Sequence, residues 1–195
     1  MPEQPYHHGD LKAQLIAQGL KLLDTEGYEN FSLRKVAKLC GVSQTAPYRH
    51  FKNKDDLIGA IAGHAMDAFA RKLEEAVALH PGDPMAQLEE MGVAYVRFFA
   101  ENPETLRLLF LTDIRIRMRF LQDERVKKHS DASGILRGVV ARYLEAHPTA
   151  EHTQEGMVLA SWGLVHGIAT LIASGELPND EPTLALAEQV VRGMG

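Results

Sequence analysis

The chain has 195 residues, 45% of them hydrophobic, one cysteine, and a formal net charge of -5 at pH 7. That length allows one or two small domains with a sizeable core, and a lone cysteine excludes an internal disulfide. Apolar runs broken by Gly, His or charge well short of about 18 residues argue against a membrane span, and the opening Met-Pro-Glu-Gln has no basic-then-apolar leader, so a cytoplasmic protein is expected.

The charge is unevenly placed. Residues 1–54 hold eight Lys and Arg against five Asp and Glu, and the rest hold thirteen against twenty-one. A basic head on an acidic body puts any nucleic-acid face at the N-terminus.

Residues 1–9 read as a mobile polar arm, with His7 and His8 as filler in preference to a metal pair. Asp10 is expected to cap a first helix from about Leu11 to Glu26, with Leu11, Leu15, Leu20 and Leu23 as its apolar stripe and Gly27 as its stop. Ser32 caps a short second helix whose Leu33, Val36, Ala37 and Cys40 share a face. Gly41 ends it, because glycine enters a left-handed turn without cost. Ser43 then caps another short helix, crowded with side chains that reach phosphates or base edges. Two short helices across a Gly turn, the second polar, describe a helix-turn-helix. Its contact candidates are Ser32, Arg34, Gln44, Thr45, Tyr48, Arg49, His50 and Lys54. Arg34 and Gln44 suit guanine and adenine edges, and Tyr48, His50 and Lys54 suit phosphates. Each could instead be a solvated polar side chain. Cys40 reads as a small buried hydrophobe, with no basic cluster to activate the thiol.

A long helix is expected from Asp55 to Leu79, carried by Leu57, Ile58, Ile61, Ala65, Ala68, Phe69, Leu73 and Val77. His80 to Pro84 is a loop. Helices follow at Met85–Ala100 and from Pro103 to Leu111. Thr112 to Asp123 alternates Arg with apolar residues, at Arg115, Arg117 and Arg119. With no second strand candidate, this reads as a loop or helical turn. Further helices are expected at Glu124–Glu145, Ala150–Ser174 and Pro182–Met194. The whole is all-α, divided as a head over 1–54 and a helical-bundle domain over 55–195.

Val36-Ala37, Gly41-Val42-Ser43 and Tyr48-Arg49-His50-Phe51-Lys52-Asn53-Lys54 together resemble the DNA-binding signature of TetR/AcrR-type transcriptional regulators. The likeness covers about Leu11 to Leu57. Ala46-Pro47 stands where the common pattern has Thr-Leu, a variant of one branch of that family. Trp162, His166 and Gly167 resemble the C-terminal regulatory domain of the same branch. The resemblance implies a homodimer that binds a near-palindromic operator in double-stranded DNA and releases it when a small-molecule effector binds. It implies no catalytic residues, metal or cofactor. The apolar residues from Met91 to Phe120 exceed one amphipathic stripe and read as core or as a pocket wall. With the resemblance, the expected effector residues are Met91, Tyr95, Phe98, Phe99, Phe110, Met118, Trp162 and His166. Gly163 and Gly167, four apart among apolar residues, suit a tight helix pairing or dimer seam, shared with a last helix carrying Leu184, Leu186, Ala187, Val190 and Val191. Two rival readings stay open from the residues alone. One is an all-α ligand-binding or catalytic protein with a vestigial head, and the other a DNA-binding protein without ligand control.

Overall fold

The structure is a computed structural model that describes residues 8–111, 132–148 and 152–193. The elements among them are helical: α1 (His8–Asn30), α2 (Leu33–Leu39), a 3-10 helix (Ala46–Arg49), α3 (Lys54–Ala78), α4 (Pro84–Glu101), α5 (Pro103–Leu106), a π turn (Arg107–Leu111), α6 (Ala132–Ala146), α7 (Gln154–Ala173) and α8 (Glu181–Arg192). They form two compact units. The first takes the chain up to Ala65 and resumes at Arg107; the second runs from Met66 to Leu106 and resumes after the segment that separates α6 from the π turn. His7, Arg115, Arg117, Arg119, Met118 and Phe120 lie outside the described residues.

The first unit is built on leucines at helical spacing. Leu11, Leu15 and Leu22 of α1 are buried with Phe31, Leu33, Val36, Phe51, Leu57, Ile58 and Ile61. Leu20 and Leu23, expected in the stripe, lie at its edge, and Leu22 takes the central place. Gly27 does break α1, at φ 71°, although helical residues resume beyond it to Asn30. Asp10 is not the cap, because the helix begins at His8.

The second unit is organised on α4. Met91, Val93, Tyr95, Val96, Phe99 and Ala100 are buried, as are Gln87 and Gly92, so α4 is covered around most of its circumference. It packs on α5, α6, α7 and α8. Asp83 starts it, accepting a hydrogen bond from the Ala86 amide at 3.0 Å, with Pro84 where a missing N–H costs nothing. Arg97 fastens α4 to α8 through Glu181 at 3.0 Å and Glu188 at 3.5 Å, and Arg192 returns from α8 to Glu90 at 2.8 Å.

Helix α7 begins at Gln154, four residues later than expected, because Thr153 supplies the cap. Ser174 and Gly175 (φ 81°) end it as expected. The sequence reading of broken apolar runs fails here. An 18-residue window of α7 has mean hydropathy 1.6, long and apolar enough to cross a membrane, and only 17% of that window is buried within the chain. Gly163, His166 and Gly167 interrupt the run in appearance only, since none carries a fixed charge.

Close packing at one glycine gives a test. A Cβ on Gly92 would meet Val191 Cγ1 at 2.6 Å and Val165 Cγ1 at 3.3 Å, where α4, α7 and α8 meet. Gly92→Ala should destabilise the chain by about 1–3 kcal/mol in urea unfolding, as overpacking does. Gly163→Ala, with nothing within 4 Å of its Cβ, should not destabilise it. Equal midpoints for wild type and Gly92→Ala would show that this crossing is looser than described.

Candidate nucleic-acid interface and effector core

Ser32 starts α2 with an extended backbone, and its hydroxyl accepts from the Lys35 amide at 3.3 Å. Lys35 stands where a capping box would place Glu, and its ammonium pairs instead with Glu26 of α1. The α2 end is closed by Gly41 at φ 68°.

The segment after the turn differs from expectation. It is not an α-helix capped by Ser43 but a 3-10 helix of four residues, and Thr45 precedes it without a side-chain cap. Pro47 has no N–H to give to an α turn, and the Ser43 hydroxyl lies 3.2 Å from that of Thr45, away from any cap amide. The tight bonds run Tyr48 N to Thr45 O at 3.2 Å and His50 N to Pro47 O at 2.9 Å. Pro47 and Phe51 turn inward and are buried, whereas Gln44, Thr45, Tyr48 and Arg49 are exposed. Arg34 on α2 is exposed as well. This gives a rigid polar surface with an apolar underside, the arrangement that reads DNA grooves.

Two expected contact residues have other work in the structure. His50 is half-buried, and its Nε2 is buried without a hydrogen-bond partner, so that nitrogen does not face a phosphate. Lys54 donates to the Tyr28 carbonyl at 2.7 Å, and its Nζ lies 3.8 Å from the centre of the Tyr28 ring. The Tyr28 hydroxyl in turn donates to Asp55 Oδ1 at 2.6 Å. Tyr28 therefore ties the end of α1 to the start of α3. Two ammonium hydrogens of Lys54 are left for other acceptors. Burial pushes the Cys40 thiol pKa up, which suits the small-hydrophobe reading.

In the second unit, Met91, Tyr95 and Phe99 are buried core residues. Phe69, Tyr95, Phe98 and Phe99 form one aromatic cluster with ring centres 4.9–5.3 Å apart. Phe110 falls on the π turn, in the first unit. One polar seam crosses the cluster. Tyr95 Oη and His166 Nδ1 are 2.9 Å apart. Burial pushes the Tyr95 pKa up to about 12, and a hydrogen bond from the Trp162 side chain works the other way. Burial also lowers the His166 pKa. One helical turn beyond His166 on α7, the Thr170 hydroxyl is buried without a partner. Among the described residues, no group of three or more His, Cys, Asp or Glu could hold a metal ion.

Two family models match the chain. Residues 15–61 match the model of bacterial regulatory proteins of the tetR family, and residues 88–194 match that of the tetracyclin repressor-like C-terminal domain. An HTH-type transcriptional regulator of Staphylococcus aureus strain USA300 is 43% identical over 49 residues, which span 25% of this chain and 26% of that protein. A Rhodococcus sp. RHA1 protein of unknown function is 26% identical with TM-score 0.75, covering 98% of both chains. The fatty acid degradation regulator FadR from Bacillus halodurans has TM-score 0.77 at 17% identity, covering 100% of this chain and 96% of its own. FadR from Bacillus subtilis, in complex with stearoyl-CoA, has TM-score 0.73 at 18% identity, covering 92% and 95%.

The His166 environment predicts a pH dependence. A histidine whose folded pKa lies below its unfolded value binds more protons when unfolded, so stability rises with pH across that interval. The contribution is intact above about 6.5, the ordinary histidine value, and is lost as pH falls from there through the folded pKa. His166→Phe should flatten the wild-type loss of stability below that pH in denaturant titrations. Parallel curves for the two proteins would contradict the assignment.

Proposed function

The chain belongs to the tetR family of bacterial regulatory proteins, and we propose that it is a ligand-controlled repressor, binding a near-palindromic operator as a homodimer in the cytoplasm. The observation that carries the DNA reading is the exposed set Arg34, Gln44, Thr45, Tyr48 and Arg49 on a head whose opposite side is closed by Leu15, Val36, Pro47 and Phe51. The local excess of basic residues supports the same face. No nucleophile–base pair is needed for this role, and the function is non-enzymatic.

Ligand control rests on the second unit. Its aromatic cluster surrounds a polar seam of Tyr95, His166 and Trp162, which suits an apolar ligand with one hydrogen-bonding group. The stearoyl-CoA complex of the Bacillus subtilis neighbour supports a bound effector in this fold. Helix α3 runs without interruption from Lys54 to Ala78, from the first unit into the second. A dimer must place its recognition elements about 34–36 Å apart to meet successive major grooves. An effector that favours any other spacing releases the operator, and the operator must weaken the effector by the same factor.

The dimer reading rests on α7 and α8. Leu159, Trp162, Leu171, Leu186 and Val190 are exposed, and Cβ atoms at Gly163 and Gly167 would meet nothing within 4 Å. An apolar helix this bare within one chain calls for a second copy.

Two experiments test these readings. Duplexes selected by the protein from a random pool, then varied one base at a time, should show altered base preference for Arg34→Ala and Gln44→Ala, each at a cost of about 1–3 kcal/mol. Lys54→Ala should weaken all sequences alike. Unchanged preference in both of the first two variants would remove them as base readers. Separately, Gly167→Leu should leave the single chain folded but weaken self-association at least about tenfold, a loss of about 1.4 kcal/mol. An equally tight dimer by sedimentation would place the seam elsewhere.

A further inference from the structure

Two oppositely charged neighbours at the start of α3 both turn to one tyrosine. The backbone breaks at Gly27, and Tyr28 follows it. The Tyr28 carbonyl accepts from the Phe31 amide at 3.2 Å and from Lys54 Nζ at 2.7 Å, one bond for each lone pair. Its ring lies against the same ammonium, with Nζ 3.8 Å from the ring centre. Its hydroxyl donates to Asp55 Oδ1 at 2.6 Å. Lys54 and Asp55 are adjacent in the first turn of α3, yet among the described residues no carboxylate pairs with the Lys54 ammonium. That turn is itself held. Asn53 Oδ1 accepts from the Asp56 amide at 2.9 Å, and Asp56 Oδ2 accepts from the Lys52 amide at 2.7 Å. All of these residues belong to the first unit.

A phosphate contact needs a cation with hydrogens to spare and no carboxylate already on it. A paired ammonium offers an incoming anion little net charge, and the pair must open first. The Tyr28 carbonyl takes one of the three ammonium hydrogens and leaves two. The ring attracts the cation through its quadrupole and brings no counter-charge. Asp55, next in sequence, is the carboxylate that could neutralise Lys54, and the Tyr28 hydroxyl occupies it. One side chain therefore fixes the cation and engages its competitor.

We propose that Tyr28 is a positioning residue for a phosphate contact made by Lys54. Its ring and carbonyl hold the ammonium, and its hydroxyl diverts Asp55 from it. This role rests on the DNA-binding reading, and Tyr28 itself touches no base or phosphate in it.

The test is the salt dependence of binding between the full-length chain and a duplex that the wild-type protein selects from a random pool. Each neutralised phosphate contributes about 0.9 to the slope of log affinity against log salt. Lys54→Ala should make that slope shallower by about one. Tyr28→Phe keeps the ring and the carbonyl but releases Asp55 to the ammonium, and its slope should become shallower by the same amount. Adding Asp55→Asn to Tyr28→Phe removes the competitor and should restore the wild-type slope. A folding defect caused by loss of the hydroxyl would be common to both variants, and Asp55→Asn would not reverse it. Tyr28→Leu lacks the ring, so its slope should stay shallow whether or not Asp55 is changed. A wild-type slope in Tyr28→Phe, or a double variant that restores nothing, would overturn the role of Tyr28. An unchanged slope in Lys54→Ala would remove the contact and the proposal together, with DNA binding intact. If the pool yields no duplex at all, the DNA-binding reading fails first and takes this inference with it.

Discussion

The second unit depends on the burial of one helix. Helix α4 is covered by α5, α6, α7 and α8, and a helix covered on so many sides can carry few polar groups unless each is satisfied. Gln87 and Tyr95 are the two polar residues it buries, and both have partners. The Gln87 side chain donates to the His80 carbonyl at 2.9 Å and accepts from Arg142 of α6 at 2.8 Å. Tyr95 meets His166 of α7. Its polar residues therefore name its neighbours, and Gly92 sets how closely two of them approach. Apolar burial alone would tolerate other rotations of α4, whereas these hydrogen bonds fit one.

The head works under a different constraint. It is small, and both faces of the α2–turn–3-10 segment have assigned roles: apolar beneath, polar above. Proline inside a helix is costly in most contexts, yet Pro47 here is buried and stands in the first turn of the 3-10 helix, where its missing N–H forfeits no bond within the helix. Lys54 and Asp55 then grip Tyr28 from the start of α3, so the end of α1 and the recognition segment are referenced to the same helix start. Directional recognition of base edges requires this kind of fixed support.

Much of this was legible in the sequence. Helical spacing of Leu11, Leu15, Leu33 and Val36 identified part of the head core, whereas Leu57 and Ile61 were assigned to the long helix of the other domain and pack in the head; Gly41 and Gly175 marked two helix ends correctly. Boundaries failed where a local hydrogen bond competed with the pattern. Ser43 turned to Thr45, and Thr153 capped α7 ahead of any apolar signal. Periodicity could not tell core from pocket wall, because both demand apolar side chains on one face; Met91, Tyr95 and Phe99 proved to be packed core. Leu108 was invisible as a head residue, since its contacts lie far back in the chain. The outward apolar face of α7 was underestimated because glycine and histidine were counted as interruptions, although the window that contains them keeps a mean hydropathy of 1.6.

Helix α7 shows how the two halves of the proposed function constrain each other. Its inner side carries Val165, Ala169 and Ile172 in the core and His166 on Tyr95. Its outer side carries Leu159, Gly163, Gly167 and Leu171, bare within the chain. Trp162 belongs to both: it is 42% exposed, its ring lies 5.7 Å from that of His166, and its side chain hydrogen-bonds Tyr95. An α-helix rotates as a rigid body over this length, so inner and outer sides cannot be adjusted separately. A ligand that turns α7 as it displaces the Tyr95–His166 bond would also reorient the surface that faces the proposed second copy. Control of the spacing between two heads then needs no separate relay at the seam, because sensing and pairing use the same helix.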